Sequence, residues 1–254
     1  MTKTRLRKKL SFAFYSLLIS TSLSCLLALG YYKTLDSESL SALNRFFILF
    51  GGNFLNGGYI QFLTFFAFFW CLLEIKAQLR FIQKERKTLR KNYLPVKKNH
   101  ILLSNDIAEI YHRMNDIDKR KRTLLTELIK KACSKFRTNR SIGEMMDLVS
   151  IQVEINKERS ESEQSNIRYL NWGIPSLGFI GTVMGISASL KYANSGDMET
   201  ITSLLGVAFD TTLISLILSI IVMWFLHFLQ EETDYLHTGM KEYVLDNLVN
   251  RIEF

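Results

Sequence analysis

Long apolar runs alternate with charged stretches along the chain. No Asp, Glu, Lys or Arg occurs from Leu10 to Tyr32, from Phe46 to Leu73 or from Tyr169 to Leu190, and from Thr200 to Gln230 the sole charge is Asp210. A hydrocarbon layer of about 30 Å is crossed by roughly 20 residues at 1.5 Å rise each, so every run is long enough to span it. Backbone groups in lipid must be satisfied within a helix or a closed barrel, and the two-residue alternation of a barrel is missing. The pattern therefore predicts an all-α integral membrane protein with four transmembrane helices, over 10–32, within 46–73, over 169–190 and over 200–229. Ahead of the second span, Gly51, Gly52, Asn53, Asn56, Gly57 and Gly58 weaken a helix. The regular helix is expected from near Tyr59, with 46–56 as an interfacial segment.

Residues 74–168 are polar, almost free of Gly, and carry one Pro at 95. Leu89, Leu102, Leu103, Ile107, Ile110, Ile117, Leu124, Leu125, Leu128 and Ile129 recur mostly at steps of three and four, the mark of amphipathic helices. The region is expected to form a helical cytoplasmic domain. Ser141 with Glu144 three residues later fits a capping box that opens the helix leading into span three.

Charge sets the expected topology. The N-terminal 1–9 has Lys3, Arg5, Arg7, Lys8 and Lys9 and no acid, and 74–168 has 22 basic against 13 acidic side chains, a net of +9. The outer loops, 33–45 and 191–199, are balanced or slightly acidic. The positive-inside rule then places the N-terminus, the central domain and the 230–254 tail on the cytoplasmic side of an inner-type membrane. Trp70, Trp172 and Trp224 all fall at the cytoplasmic ends of spans, where indole rings settle. The overall +8 thus reads as topology and contact with anionic lipid, not nucleic-acid binding. The first run, with its basic start and Ala28-Leu29-Gly30, has signal-peptide features, but its length favours an uncleaved helix. Cys25, Cys71 and Cys133 imply no disulfide framework.

Spans three and four carry the candidate chemistry. In span three, Pro175, Thr182 and Ser189 recur at seven-residue steps beside Gly178 and Gly185, and Gly181 with Gly185 forms a GxxxG pair that admits a close helix. Pro175 removes a backbone bond and is expected to kink the helix. In span four, Ala208, Thr212, Ser215 and Ser219 share a face. Periodicity leaves two readings of these stripes open: tight helix packing, and the lining of an ion pathway through Thr182, Thr211, Thr212 and Ser215. Asp210 lies about 200° from Thr212 around the helix and so points away from the hydroxyls. An ionisable group inside a span costs roughly 2.5–3.5 kcal/mol on insertion scales. Its expected roles are a hydrogen bond across a subunit interface or an accessory ion site.

The strings Ile-Pro-Ser-Leu-Gly-Phe-Ile-Gly-Thr-Val-Met-Gly-Ile (174–186) and Ala-Phe-Asp-Thr-Thr-Leu-Ile-Ser-Leu (208–216) resemble the MotA/TolQ/ExbB channel family. The four-span layout looks like the flagellar-stator branch and the Gly-Thr-Val wording like the TolQ/ExbB branch, while Asp210 before the Thr pair departs from both. The resemblance implies a homopentamer around a dimer of single-span MotB/TolR/ExbD-like partners, whose Asp would carry the transported proton or sodium ion. It implies pore hydroxyls at Thr182 and Thr212, a conformational role for Pro175, and a motor or stator that turns ion-motive force into rotation. A Thr hydroxyl solvates an ion but holds no charge near neutral pH, in keeping with a carboxylate supplied from elsewhere. The other class of reading is a non-conducting scaffold or sensor whose cytoplasmic helices bind a partner. His100, His112, His227 and His237 show no metal-ligand spacing, and there is no nucleophile–base set or phosphate loop, so neither an enzyme nor a cofactor is expected.

Overall fold

The computed structural model describes residues 3–34, 41–91, 93–94 and 101–253. Residues 35–40 of the expected outer loop, Pro95 and His100 lie outside the described residues. Eight α-helices account for nearly everything else: α1 (Lys3–Thr34), α2 (Ser41–Leu49), α3 (Tyr59–Leu89), α4 (Ser104–Arg120), α5 (Leu124–Asn139), α6 (Ile142–Glu163), α7 (Ser165–Leu190) and α8 (Met198–Asn247). The described residues contain no strand, only an isolated parallel bridge between Leu102 and Ile252. Four helical stretches are long and apolar enough to cross a membrane: Lys9–Thr34, Tyr59–Leu89, Ile142–Leu190 and Met198–Arg251. The protein is all-α with four membrane-spanning helices.

The chain folds into two compact units, Met1–Lys76 with Ser165–His227, and Ala77–Gln164 with Phe228–Phe254. The first three apolar runs, and the fourth as far as His227, belong to the first. There, hydroxyls in α1 bond back to their own helix, Ser16 to the Ala13 carbonyl at 2.9 Å and Thr21 to the Leu17 carbonyl at 2.6 Å. A polar group in an apolar span is thereby satisfied without a partner helix.

The run 46–73 is not one helix. α2 starts at Ser41, inside the stretch read from sequence as outer loop, and ends at Leu49, and a π-helical turn over Phe54–Gly58 precedes α3 at Tyr59. Gly51 (φ 92°) and Gly57 (φ 107°) occupy the left-handed region, which side chains resist, so the chain can reverse there. The break sits among apolar side chains: Phe50 stacks on Phe65, and Leu49, Phe47 and Leu23 pack on the Leu27–Phe65–Ile214 cluster. Its backbone groups therefore need internal partners. The Gly52 amide donates to the Phe47 carbonyl at 2.7 Å, and the buried Gln61 amide donates to the Leu49 carbonyl at 2.5 Å.

The second unit packs α4, α5, α6 and the ends of α3 and α8 around Ile107, Met114, Leu128, Ile129, Phe136, Met145, Val149 and Val244, all buried. Six of the ten apolar positions singled out in the sequence are buried here: Leu102, Ile107, Ile110, Leu125, Leu128 and Ile129. Leu103 instead precedes α4 as its N-cap residue and is exposed. Ser141 caps α6, its hydroxyl accepting from the Glu144 amide at 3.3 Å. The reciprocal half of the box is not made, because the Glu144 carboxylate is drawn to Lys135 and Asn139.

Candidate functional site: the seam between α7 and α8

The two small-residue stripes face each other. A Cβ added at Gly178 would lie 2.7 Å from the Ser215 Cβ and 3.1 Å from the Thr212 Cα. At Gly181 it would lie 2.8 Å from the Thr211 Cβ, and at Gly185 3.1 Å from the Ala208 Cα. Such distances leave no room for a side chain, so the three glycines set how closely α7 and α8 approach. Ala208, Thr211, Ser215 and Ser219 are buried in this contact. The helix partner of the GxxxG pair is thus α8 of the same chain.

Hydroxyls stitch the seam. Thr212 Oγ1 donates to the Gly178 carbonyl at 3.0 Å and Thr182 Oγ1 to the Ala208 carbonyl at 3.2 Å. The two hydroxyls also contact each other directly. Thr211 and Ser215 bond back to their own helix, to the carbonyls of Ala208 at 2.8 Å and Thr212 at 2.9 Å. Thr182 and Thr212 remain half-buried, as does Gly185, whereas Gly178, Gly181, Ala208, Thr211 and Ser215 are buried.

Pro175 lies inside α7, which continues through it without interruption. Its ring nitrogen cannot donate to the Asn171 carbonyl four residues back. The Ser219 hydroxyl supplies a substitute from α8, 3.4 Å from both the Asn171 carbonyl and the Asn171 side-chain oxygen. Ser219 was read from sequence only as a member of the small stripe. Its pairing with the proline is legible once α7 and α8 are known to be adjacent.

Asp210 departs from expectation. Its carboxylate is bound in two-pronged fashion by Arg45 of α2, Nη1 at 2.5 Å and Nη2 at 2.7 Å. The Asp210 side chain is 6% exposed and that of Arg45 57%. Within the chain its partner is therefore the full positive charge of Arg45. Fork-on-carboxylate geometry is among the strongest of side-chain contacts, and it accounts for an acid in an apolar run. Arg45 was missed because it reads as a flanking loop residue. The signal that could have found it is charge balance, since Asp210 needs a cation and Arg45 borders an apolar run.

Among the described residues no group of three or more His, Cys, Asp or Glu side chains is placed to hold a metal. Burial pushes the Cys133 thiol up to about 12, which keeps it protonated and inert. His237 is buried with its Nε2 3.1 Å from the Ser160 hydroxyl, one turn from a Gln164–Thr233 bond of 3.0 Å. This is a packed polar patch, not a ligand set.

Residues 120–242 match the model of the MotA/TolQ/ExbB proton channel family, a stretch that holds the whole α7–α8 seam. No curated protein and no solved structure matches the chain.

Proposed function

We propose, from the match of residues 120–242 to the model of the MotA/TolQ/ExbB proton channel family, that this chain is the pore-forming subunit of an ion-driven membrane motor. The family's role is that of proton channels within ion-driven complexes, and its members work with a partner. In the proposal, five copies surround a dimer of single-span partners in a bacterial inner membrane, with both termini cytoplasmic. The partner brings the carboxylate that takes up and releases a proton or sodium ion. Anionic lipid meets the basic flanks.

The observation that carries the reading is the Thr182–Thr212 hydroxyl pair, in mutual contact and half-buried beside the buried Gly178, Gly181, Ala208, Thr211 and Ser215. Packing alone uses Gly178, Gly181, Gly185, Ala208, Thr211 and Ser215. It does not require two hydroxyls at the rim, where each can exchange a carbonyl for an incoming ion or water. Asp210 takes no part in ion transfer in this scheme, since Arg45 already satisfies it. The central helix of the partner would run along the rim, with Pro175 and its Ser219 bridge allowing α7 to flex as the ion moves.

Thr212→Ala tests the role. Ion-driven output is expected to be lost while the complex still assembles, and Ser215→Ala, in the closed part of the seam, is expected to retain most output. Full output from the Thr212→Ala complex would remove the hydroxyl from the pathway. A non-conducting scaffold would show no gradient dissipation in either variant or in the parent.

A further inference from the structure

The exposed sides of α3 and α6, within the second compact unit, carry matched stripes. On α3, Arg80, Lys84 and Lys87 lie opposite the buried Ile82 and Glu85, and Lys91 follows in the next turn. On α6, Asp147, Ile151, Glu154 and Glu158 lie opposite the buried Met145, Val149 and Val153. The acidic stripe steps by four, three and four residues and the basic one by four and three within α3, which at 100° per residue holds each within about 60° of arc. Lys91 lies two residues past the end of α3 at Leu89. None of these charged side chains has an ion-pair partner among the described residues. Other charges of the unit do, such as Arg86 with Glu232 at 3.0 Å and Lys157 with Asp234 at 3.1 Å. Each stripe is flanked by exposed apolar bulk, Phe81 at 47% beside the basic one and Ile155 at 50% beside the acidic one, with Ile151 at 61% within it.

The spacing selects an arrangement. Laid antiparallel, the stripes pair Arg80 with Glu158 and Lys84 with Glu154, and the Lys87 stem covers Ile151. Phe81 and Ile155 both lie on the same rotational side of their stripes. When two helices meet antiparallel, like sides face each other, so these two apolar residues meet about two positions out of strict register. A parallel arrangement would set them on opposite sides.

We infer that the basic stripe of α3 in one copy docks antiparallel on the acidic–apolar stripe of α6 in a second copy of this chain. Each copy offers both stripes, so the contact is heterologous, and repetition closes a ring or runs on. Anionic lipid is a poorer occupant for the basic stripe. Lipid would leave the acidic stripe and its isoleucines uncovered.

The inference rests on the oligomeric reading given above and names the surface that builds the oligomer. Its test uses the full chain in membranes. Lys84→Cys and Glu154→Cys, combined in one chain, are expected to give a ladder of crosslinked multimers with a short bis-maleimide, whereas each single variant gives none above background. Lys84→Glu alone and Glu154→Lys alone are each expected to cut the assembled fraction several-fold, and the two together to restore it. Copy number of the parent in detergent, counted by single-molecule mass, separates the failures. A ring that forms with no 84–154 crosslink overturns this interface and leaves the oligomer standing. A monomer overturns both. A crosslink that stops at two copies overturns the heterologous contact, and a Lys84→Glu effect that depends only on anionic lipid assigns the basic stripe to the bilayer instead.

Discussion

A carboxylate immediately before a pair of threonines would be a natural ion site if nothing neutralised it. Arg45 does so with both terminal nitrogens, at 2.5 and 2.7 Å. Removing one partner of such a pair strands the other charge, and this is costlier than removing both. Arg45→Ala is therefore expected to destabilise the protein by about 3 kcal/mol, the low end for a buried pair because Arg45 is half exposed. Arg45→Gln with Asp210→Asn is expected to cost much less than the sum of the two single changes. Thermal melting in detergent measures both, and strict additivity would mean the pair contributes nothing as a pair. Glycines separate in the same assay. Gly178→Ala forces a Cβ against Ser215 and Thr212, whereas Gly206 has nothing within 4 Å of its added Cβ. Gly178→Ala is expected to lower the melting temperature and Gly206→Ala to raise it, the latter by up to about 1 kcal/mol of helix propensity.

Helices here are shaped by how their broken backbone bonds are repaired. Gln61 repairs the end of α2 and Ser219 repairs the gap that Pro175 opens in α7. Ser219→Ala leaves the Asn171 carbonyl without that donor, at a cost of about 1 kcal/mol. In a Pro175→Ala background, residue 175 regains an amide that can reach the same carbonyl, so Ser219→Ala is expected to be nearly silent there. Equal effects in both backgrounds would separate the serine from the proline. At the α4–α5 turn, Glu127 pairs with Arg122 at 2.9 Å and Lys131 at 3.0 Å. Burial pushes its carboxyl up, but the two cations outweigh that and hold it below the ordinary value of 4.5. A depressed folded value stabilises above the unfolded one and is lost as pH falls through the folded one. The parent's stability is expected to fall below pH 4.5 more steeply than that of Glu127→Gln, and identical acid limbs would exclude the pairing.

At the scale of the whole molecule, the four spans, the helical character and the family resemblance were all legible in the sequence. The reason is that apolar runs above twenty residues and a Gly/Pro-rich string are local patterns. The start of α3 at Tyr59 was legible too, from the glycines that precede it. What was not legible depends on contacts distant along the chain. Arg45 and Asp210 are 165 residues apart, and the bridge from Ser219 to Asn171 spans 48. α2 escaped notice because only its second half is apolar, and its first turn reads as loop. Packing and pore lining could not be told apart from periodicity because a stripe of small and hydroxyl residues suits either. In the structure Ala208, Thr211 and Ser215 are buried and Thr182 and Thr212 half-buried.

The central claim is that this chain builds the wall of an ion pathway along the Thr182–Thr212 rim. The most direct measurement takes the complex purified from its native membrane, with whatever single-span partner accompanies it, into liposomes under an imposed proton or sodium gradient. The parent complex is expected to dissipate one of the two gradients, and the Thr212→Ala complex, of unchanged size, to do so at least tenfold more slowly. Equal dissipation by parent and variant, or none by the parent with its partner present, would contradict the account.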